Sequence, residues 1–309
     1  TQAMDVGDLA AAVVASGLLP SKVSTIFSEL GPSGSVLALE AELANWRQPL
    51  SDWSFMAQVQ DISLQARKKA PGLLGLDGTV LASQRGAKAW IDTRNFTLDL
   101  PTVYRKPIEF TQVLGQLSAS WDANTLYLHQ GIFEGEHEEH HASALFGMAI
   151  PLVPNAAQGP PLALYLDVGV PDASVDVRQN YIPYRIPDVL EEWLESSILG
   201  GGLSETSFSW RGGFKGFGSG LQSMQIATVI SDGSIKFQTD WPRIDDFEGA
   251  LLVDTDRVSV WGRQGSISDA IVEGVSVEVD AARTAGELLA SGQFRGEGMA
   301  ALNLLRHGP

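Results

Sequence analysis

The string His137-Glu138-Glu139-His140-His141 is the segment whose residue types and spacing most invite chemistry. On a helix, H-E-x-x-H sets two imidazoles one turn apart for a zinc ion and holds the glutamate as a base. The flanks predict a different backbone. Leu126 to Phe133 alternates as a strand does, Gly131 and Gly135 disfavour helix, and the strand pattern returns at Ala144. In extended chain His137 and His141 share a face but lie about 13 Å apart, too far for one zinc ion. The next glutamate downstream is Glu191, so no third ligand is at hand. A solvated acidic hairpin turn is expected, with adventitious metal at His137, His140 and His141 at most.

Other reactive sets are poorer still. No Gly-x-Ser-x-Gly occurs, and four of the five histidines (His129, His137, His140 and His141) are bunched together, which leaves little for a triad. The glycine-rich run Gly212 to Gly218 lacks the Gly-Lys-Ser/Thr that cradles phosphate, so it reads as a turn carrying Phe214 and Phe217. There is no cysteine, which removes thiolate metal sites, disulfides and a cysteine nucleophile. Acidic pairs such as Asp245-Asp246 and Asp254/Asp256 are what a chain with 37 Asp and Glu scatters over its surface. The eight tryptophans read as core and hairpin anchors. No catalytic residue and no cofactor are expected.

The bulk numbers are those of an ordered globular chain. The 309 residues are 44% hydrophobic and 19% charged, as globular chains are, and carry a net charge of −16. That field repels phosphate backbones, and the best basic run is only Arg67-Lys68-Lys69, so nucleic acid is excluded as a partner. The longest apolar run, Leu9 to Leu19, stops at Pro20 and is shorter than the roughly 20 residues that cross a bilayer. No basic leader precedes it, so it does not read as a signal peptide. Both ends read as internal, and the sequence is expected to be one continuous segment, 1–309, of a longer protein.

Periodicity supplies the elements. Val23, Ile26, Phe27 and Leu30 keep helical spacing, and with a capped stretch from Asp5 or Asp8 they predict a helical start over 5–30. From there the period is two. Leu37, Leu39, Ala41 and Leu43 alternate with acids and alanine; Phe55, Ala57 and Val59 follow. Ile62 and Leu64 then resume one residue out of phase, as across a β-bulge. Further alternating runs predict strand units over 34–180 and 203–280, with turns at Asp77-Gly78, Arg85-Gly86, Asp122-Ala123-Asn124 and Asp232-Gly233. Asp188 with Glu191 forms a capping box that predicts a helix over 188–198, ended by Gly200-Gly201-Gly202. A weaker helix is expected over 281–290. Gly78, Gly115 and Gly249 each begin a strand with an aromatic twelve residues later (Trp90, Tyr127 and Trp261), which suggests stacked repeats.

Several segments, in consistent order over roughly 71–249, resemble the YhdP branch of the AsmA-like family. They are Pro71-Gly72-Leu73-Leu74-Gly75-Leu76-Asp77-Gly78 and Tyr181-Ile182-Pro183-Tyr184-Arg185-Ile186-Pro187, with Val189 to Leu194 and the Gly200 cluster after it. Trp210-Arg211-Gly212, the Phe214/Phe217 loop and Trp241-Pro242-Arg243-Ile244 running into Phe247-Glu248-Gly249 complete the set. The resemblance implies a long curved antiparallel sheet, folded like a taco from repeated hairpins around an apolar groove, with a few short helices. It also implies a periplasmic location, a parent chain anchored in the bacterial inner membrane, and a part in moving phospholipid between inner and outer membranes. The expected ligand is then a phospholipid acyl chain. The expected lining is Leu37, Leu39, Phe55, Val59, Phe96, Leu98, Leu126, Leu128, Leu164, Leu166, Ile235, Phe237, Val258 and Val260. The competing readings are a periplasmic scaffold that binds a protein through open sheet edges and, behind it, a zinc hydrolase at the histidine string.

Overall fold

A computed structural model describes residues 3–15, 28–43, 52–66, 71–101, 104–122, 124–137, 140–152, 163–175, 192, 195–213, 222–236, 242–255, 257–267, 270–280 and 288–296. The elements are β1 (Met4–Asp5), α1 (Val6–Ala15), β2 (Ser33–Leu43), β3 (Trp53–Leu64), β4 (Gly72–Ser83), β5 (Gly86–Asp99), β6 (Ile108–Trp121), β7 (Thr125–Glu136) and β8 (His141–Pro151). They continue with β9 (Ala163–Ser174), β10 (Ile198–Gly213), β11 (Ser223–Ile235), β12 (Ile244–Asp254), β13 (Arg257–Ile267), β14 (Ala270–Asp280) and β15 (Leu288–Arg295). These 15 strands form one sheet in strict sequence order, with β1 and β15 as its unpaired ends, so it does not close into a barrel. The expected mainly-β, antiparallel class is what the chain adopts. By contact density it forms two compact units, Thr1–Asp167 with Arg211–Leu221, and Val168–Trp210 with Gln222–Pro309.

Only parts of the expected helices fall among the described residues. Asp5 caps α1, its Oδ1 accepting the Asp8 N–H at 3.0 Å. Residues 28–30 are helical, whereas 16–27 lie outside the described residues. Of the 188–198 helix, Glu192 and 195–197 are helical, Ile198 already opens β10, and the rest is not described. The glycine cluster after it is strand, and at Gly201 the neighbouring backbone leaves no room for a side chain. A Cβ on Gly201 would sit 2.9 Å from the Ser231 carbonyl oxygen and the Gly233 Cα. The 281–290 helix is corrected at its end, where 288–290 are the start of β15; residues 281–287 are not described. No described helix is long and apolar enough to cross a membrane.

The bulge read from the phase slip is present. Pairing of β3 with β4 shifts between Val59 and Ile62, and Asp61 there takes φ 53°. Its N–H donates to Asp77 Oδ1 at 2.7 Å, so the donor that the bulge removes from the ladder is satisfied by the next strand. Asp77-Gly78 is therefore strand rather than turn, and so is Asp232-Gly233. Asp122 does make its turn, accepting the N–H groups of Asn124 and Thr125.

These details repeat. The β3–β4 ladder and the β4–β5 ladder from Gly78↔Ile91 to Ser83↔Gly86, the first copy, recur 171 residues later in β11–β13, the second copy. Val59↔Gly78, Ile62↔Leu76 and Leu64↔Leu73 become Ile230↔Gly249, Gly233↔Phe247 and Ile235↔Ile244. Gly78↔Ile91 and Ser83↔Gly86 become Gly249↔Gly262 and Asp254↔Arg257. Even the bulge recurs. Asp232, at φ 48°, donates its N–H to Glu248 Oε1 at 3.2 Å. Two of the three glycine–aromatic matches thus mark a real repeat, and Gly78 and Gly249 face the carbonyls of Trp90 and Trp261 alike. The Gly115 match is coincidental, since Gly115 pairs with Phe133 and Tyr127 pairs with Ser120.

Tyr104 follows β5 in unit 1 and donates its N–H to the Leu100 carbonyl at 2.9 Å. Burial pushes its phenol up to about 12 from the usual 10.0. The fold therefore holds Tyr104 neutral where the unfolded chain ionises. Its contribution is intact below about pH 10 and is lost as pH climbs from there through about 12. Chemical denaturation across that window is expected to show an alkaline loss of stability that Tyr104→Phe abolishes.

Candidate functional site

In unit 1 the register sorts side chains onto two faces, because residues paired across strands share a face and neighbours along a strand alternate. Phe55, Ala57 and Val59 of β3 pair with Ala82, Val80 and Gly78 of β4. Those pair with Ala87, Ala89 and Ile91 of β5, which in turn meet Ala119, Leu117 and Gly115 of β6. Leu117 and Gly115 meet Gly131 and Phe133 of β7, and Gly131 meets Phe146 of β8. From β3 to β6 the one polar side chain on this face is Thr93. It is 1% exposed, and its hydroxyl donates to the Gly75 carbonyl. The opposite face carries Gln58, Thr79, Lys88, Asp92, Gln116, Ser118, Gln130 and Glu134, interspersed with exposed Met56, Leu81, Trp90, Leu114 and Ile132.

Rings on the apolar face lie flat. Phe133 stacks on Phe146 with centroids 5.6 Å apart, Phe96 on Phe110 at 6.3 Å, and Trp53 on Phe55 at 5.8 Å. Phe146 lies directly over Gly131, where a Cβ would come within 2.6 Å of the ring, and Phe133 covers Gly115 in the same way. A ring resting on bare backbone protrudes less than one packed on a side chain, which keeps the face shallowly contoured. The small residues at its base are buried, Ala57 at 5% and Ala82 at 6% exposure. The larger ones above them, including Phe55, Val80, Leu117 and Phe133, are only half-buried.

The expected lining divides between the units. Leu39, Phe55, Val59, Leu126 and Leu128 are on the apolar face of unit 1, placed there by their partners in the ladder. The alternation resets at Asn95, which takes φ 57°, so Phe96 and Leu98 share that face: Phe96 stacks on Phe110, whose ring covers Gly135 beside Phe133. Leu37 is exposed at a register shift in β2, between Val36 and Ala38. Tyr165 lies over Gly147 on the opposite face, so alternation puts Leu164 and Leu166 on the apolar one. Arg211 caps Tyr165 at 5.4 Å and bonds Asp167 Oδ2 at 2.8 Å. That hydrogen bond raises the guanidinium pKa, although a pair this exposed contributes at most about 1 kcal/mol.

In unit 2, Ile235, Val258 and Val260 belong to a dense core with Phe247, Leu251, Val253 and Val277, and Val260 is 2% exposed. Phe237 lies outside the described residues. The expected lining leaves out the small members of the face (Ala57, Ala82, Ala87, Ala89 and Gly115), because a methyl group or a hydrogen offers little apolar area of its own. Their spacing of two from larger apolar residues was the available clue.

Of the histidine string, His137 and His140 lie between β7 and β8. The His137 N–H donates to the His140 carbonyl at 2.9 Å, and the two imidazoles stack with centroids 4.7 Å apart. His140 is buried and His141 is exposed at the start of β8. Among the described residues no group of three His, Cys, Asp or Glu could hold a metal ion.

A model of the YhdP protein family matches residues 1–309, the whole chain. Comparison with curated proteins gives no match, and comparison with solved structures gives none.

Proposed function

This chain belongs to the YhdP family, an AsmA-like family of the bacterial envelope, and we propose that it holds phospholipid acyl chains against the apolar face of unit 1 while lipid moves between inner and outer membranes. The observation that carries this reading is a continuous half-open apolar face, β3 to β6, whose single polar side chain already has its partner. A hydrocarbon tail needs no more than that. Each methylene exposed to water costs about 0.8 kcal/mol, so a tail of about 16 carbons meets a barrier on the order of 10 kcal/mol on leaving a bilayer. Contact with Leu, Val and Phe along the way offsets much of it. The ladder keeps the backbone satisfied meanwhile, since only alternate side chains point to the tail. No bond is made or broken, and the periplasm is the compartment in which such traffic would run.

The test is site-specific photo-crosslinking in cells. A probe at Leu128, on the apolar face, is expected to give lipid adducts about tenfold more often than one at Gln130 on the opposite face, a preference worth about 1.4 kcal/mol. Equal adducts at both positions, or none at Leu128, would overturn the proposal.

A further inference from the structure

The second copy of the repeat shows what a filled version of this face contains. Where the first copy has Ala57, Ala82, Ala87 and Ala89, the second has Thr228, Val253, Val258 and Val260 at matching ladder positions. Where the first has Leu76, the second has Phe247. The two copies also differ in accessibility. Between Phe55 and Ile91 the buried members of the face are Ala57, Ala82 and Ile91; between Ile226 and Gly262 every member is buried except Ile226 and Gly249.

We infer that the first copy is a hydrocarbon seat whose depth is set by Ala57, Ala82, Ala87 and Ala89, and that the second is the same seat closed by its own side chains. The inference rests on the proposed acyl-chain reading and adds which stretch of the chain takes the tail and which residues decide it. Two features argue for hydrocarbon as the occupant. The space left open at Ala82, Ala87 and Ala89 in the first copy is taken in the second by the aliphatic groups of Val253, Val258 and Val260, which is the chemistry of an alkyl chain. A peptide laid on this face would also bury N–H and C=O groups, and the face has nothing to pair with them, since the Thr93 hydroxyl is already given to Gly75.

The experiment uses the whole chain with a photoreactive leucine analogue at one position, incubated with phosphatidylethanolamine–phosphatidylglycerol vesicles carrying radiolabelled palmitoyl chains. Label is expected at Val80 and about tenfold less at Leu251, its counterpart, and at Leu81 on the opposite face. The triple substitution Ala82→Val, Ala87→Val and Ala89→Val copies the second repeat and is expected to cut labelling at Val80 about tenfold while Leu128 stays labelled. Because three added valines could disturb folding, Ala89→Leu alone is tested beside it and is expected to act in the same direction. Equal label at Val80 and Leu251, or no change at Val80 in either variant, overturns this inference while leaving the acyl-chain reading standing. A protein adduct at Val80 in place of lipid overturns it too. Absence of lipid at Leu128 in the unsubstituted chain overturns the reading on which it depends.

Discussion

Phe247→Ala is expected to cost the second copy about 3–5 kcal/mol, toward the upper end of that range, read as an early transition in urea followed by tryptophan fluorescence. Phe247 is 0% exposed, and its ring fills space that two glycines leave open. A Cβ at Gly249 or Gly262 would lie 2.5 Å from ring carbons. With the ring gone, no side chain at either glycine can close the cavity, and the ladder on both sides holds the strands apart. The first copy solves the same position differently, with Leu76 and Ile91 where the second has Phe247 and Gly262. That contrast sharpens the prediction. Gly262→Ile alone drives a branched side chain into the Phe247 ring and Val275, and Phe247→Leu alone leaves a void. Combined, they reproduce the pair already present in the first copy. The double variant is expected to be more stable than the sum of the single costs by about 1–3 kcal/mol. Strict additivity would mean that the two copies, although matched in register, do not share a packing plan.

The legible part of this fold was the backbone, and the obscure part was volume. Alternation gave the strands, and the phase slip between Val59 and Ile62 gave the bulge, which the structure centres on Asp61. Asp77-Gly78 and Asp232-Gly233 were misread as turns because the Asp and Gly that favour positive φ serve bulges as readily as reversals. Asp77 is spent on the N–H of Asp61, sixteen residues earlier, a relation that no local window contains. Gly200-Gly201-Gly202 imitated a helix stop for a similar reason: the demand on Gly201 comes from β11. The apolar face suffered from the opposite limit. A two-letter reading gives Ala89 and Val260 the same letter, and so it placed Phe55 and Val260 in one lining. In the folded chain Phe55 is half-buried and Val260 sits in a core. What separates the two copies is a few methyl groups at matched positions, and those are visible only once the ladder shows which positions match.

A charge at the middle of the unit 1 face should abolish acyl-chain binding more completely than any added bulk. Leu117 pairs with Ala89 on one side and Gly131 on the other, and it is half-buried, so an aspartate there can keep some water while no tail is bound. A tail laid across it would strip that water away. Leaving a carboxylate without a partner costs several kcal/mol, more than a handful of methylenes returns at about 0.8 kcal/mol each. Leu117→Asp is therefore expected to lower labelling at Val80 by about a hundredfold at neutral pH, equivalent to about 2.7 kcal/mol. Ser118→Asp, one residue along and beside Lys88 on the other face, should leave it within about twofold. Acid separates an electrostatic cause from misfolding. Desolvation raises the pKa of the new carboxylate, so its neutral form gains as pH falls, and binding by the variant should recover on the acid side. The unsubstituted chain has no ionisable side chain on this face from β3 to β6 and should show no such recovery. A variant that stays inactive at low pH while its melting curve matches the parent would mean that tails do not pass over Leu117, and that the half-open face is occupied by something else.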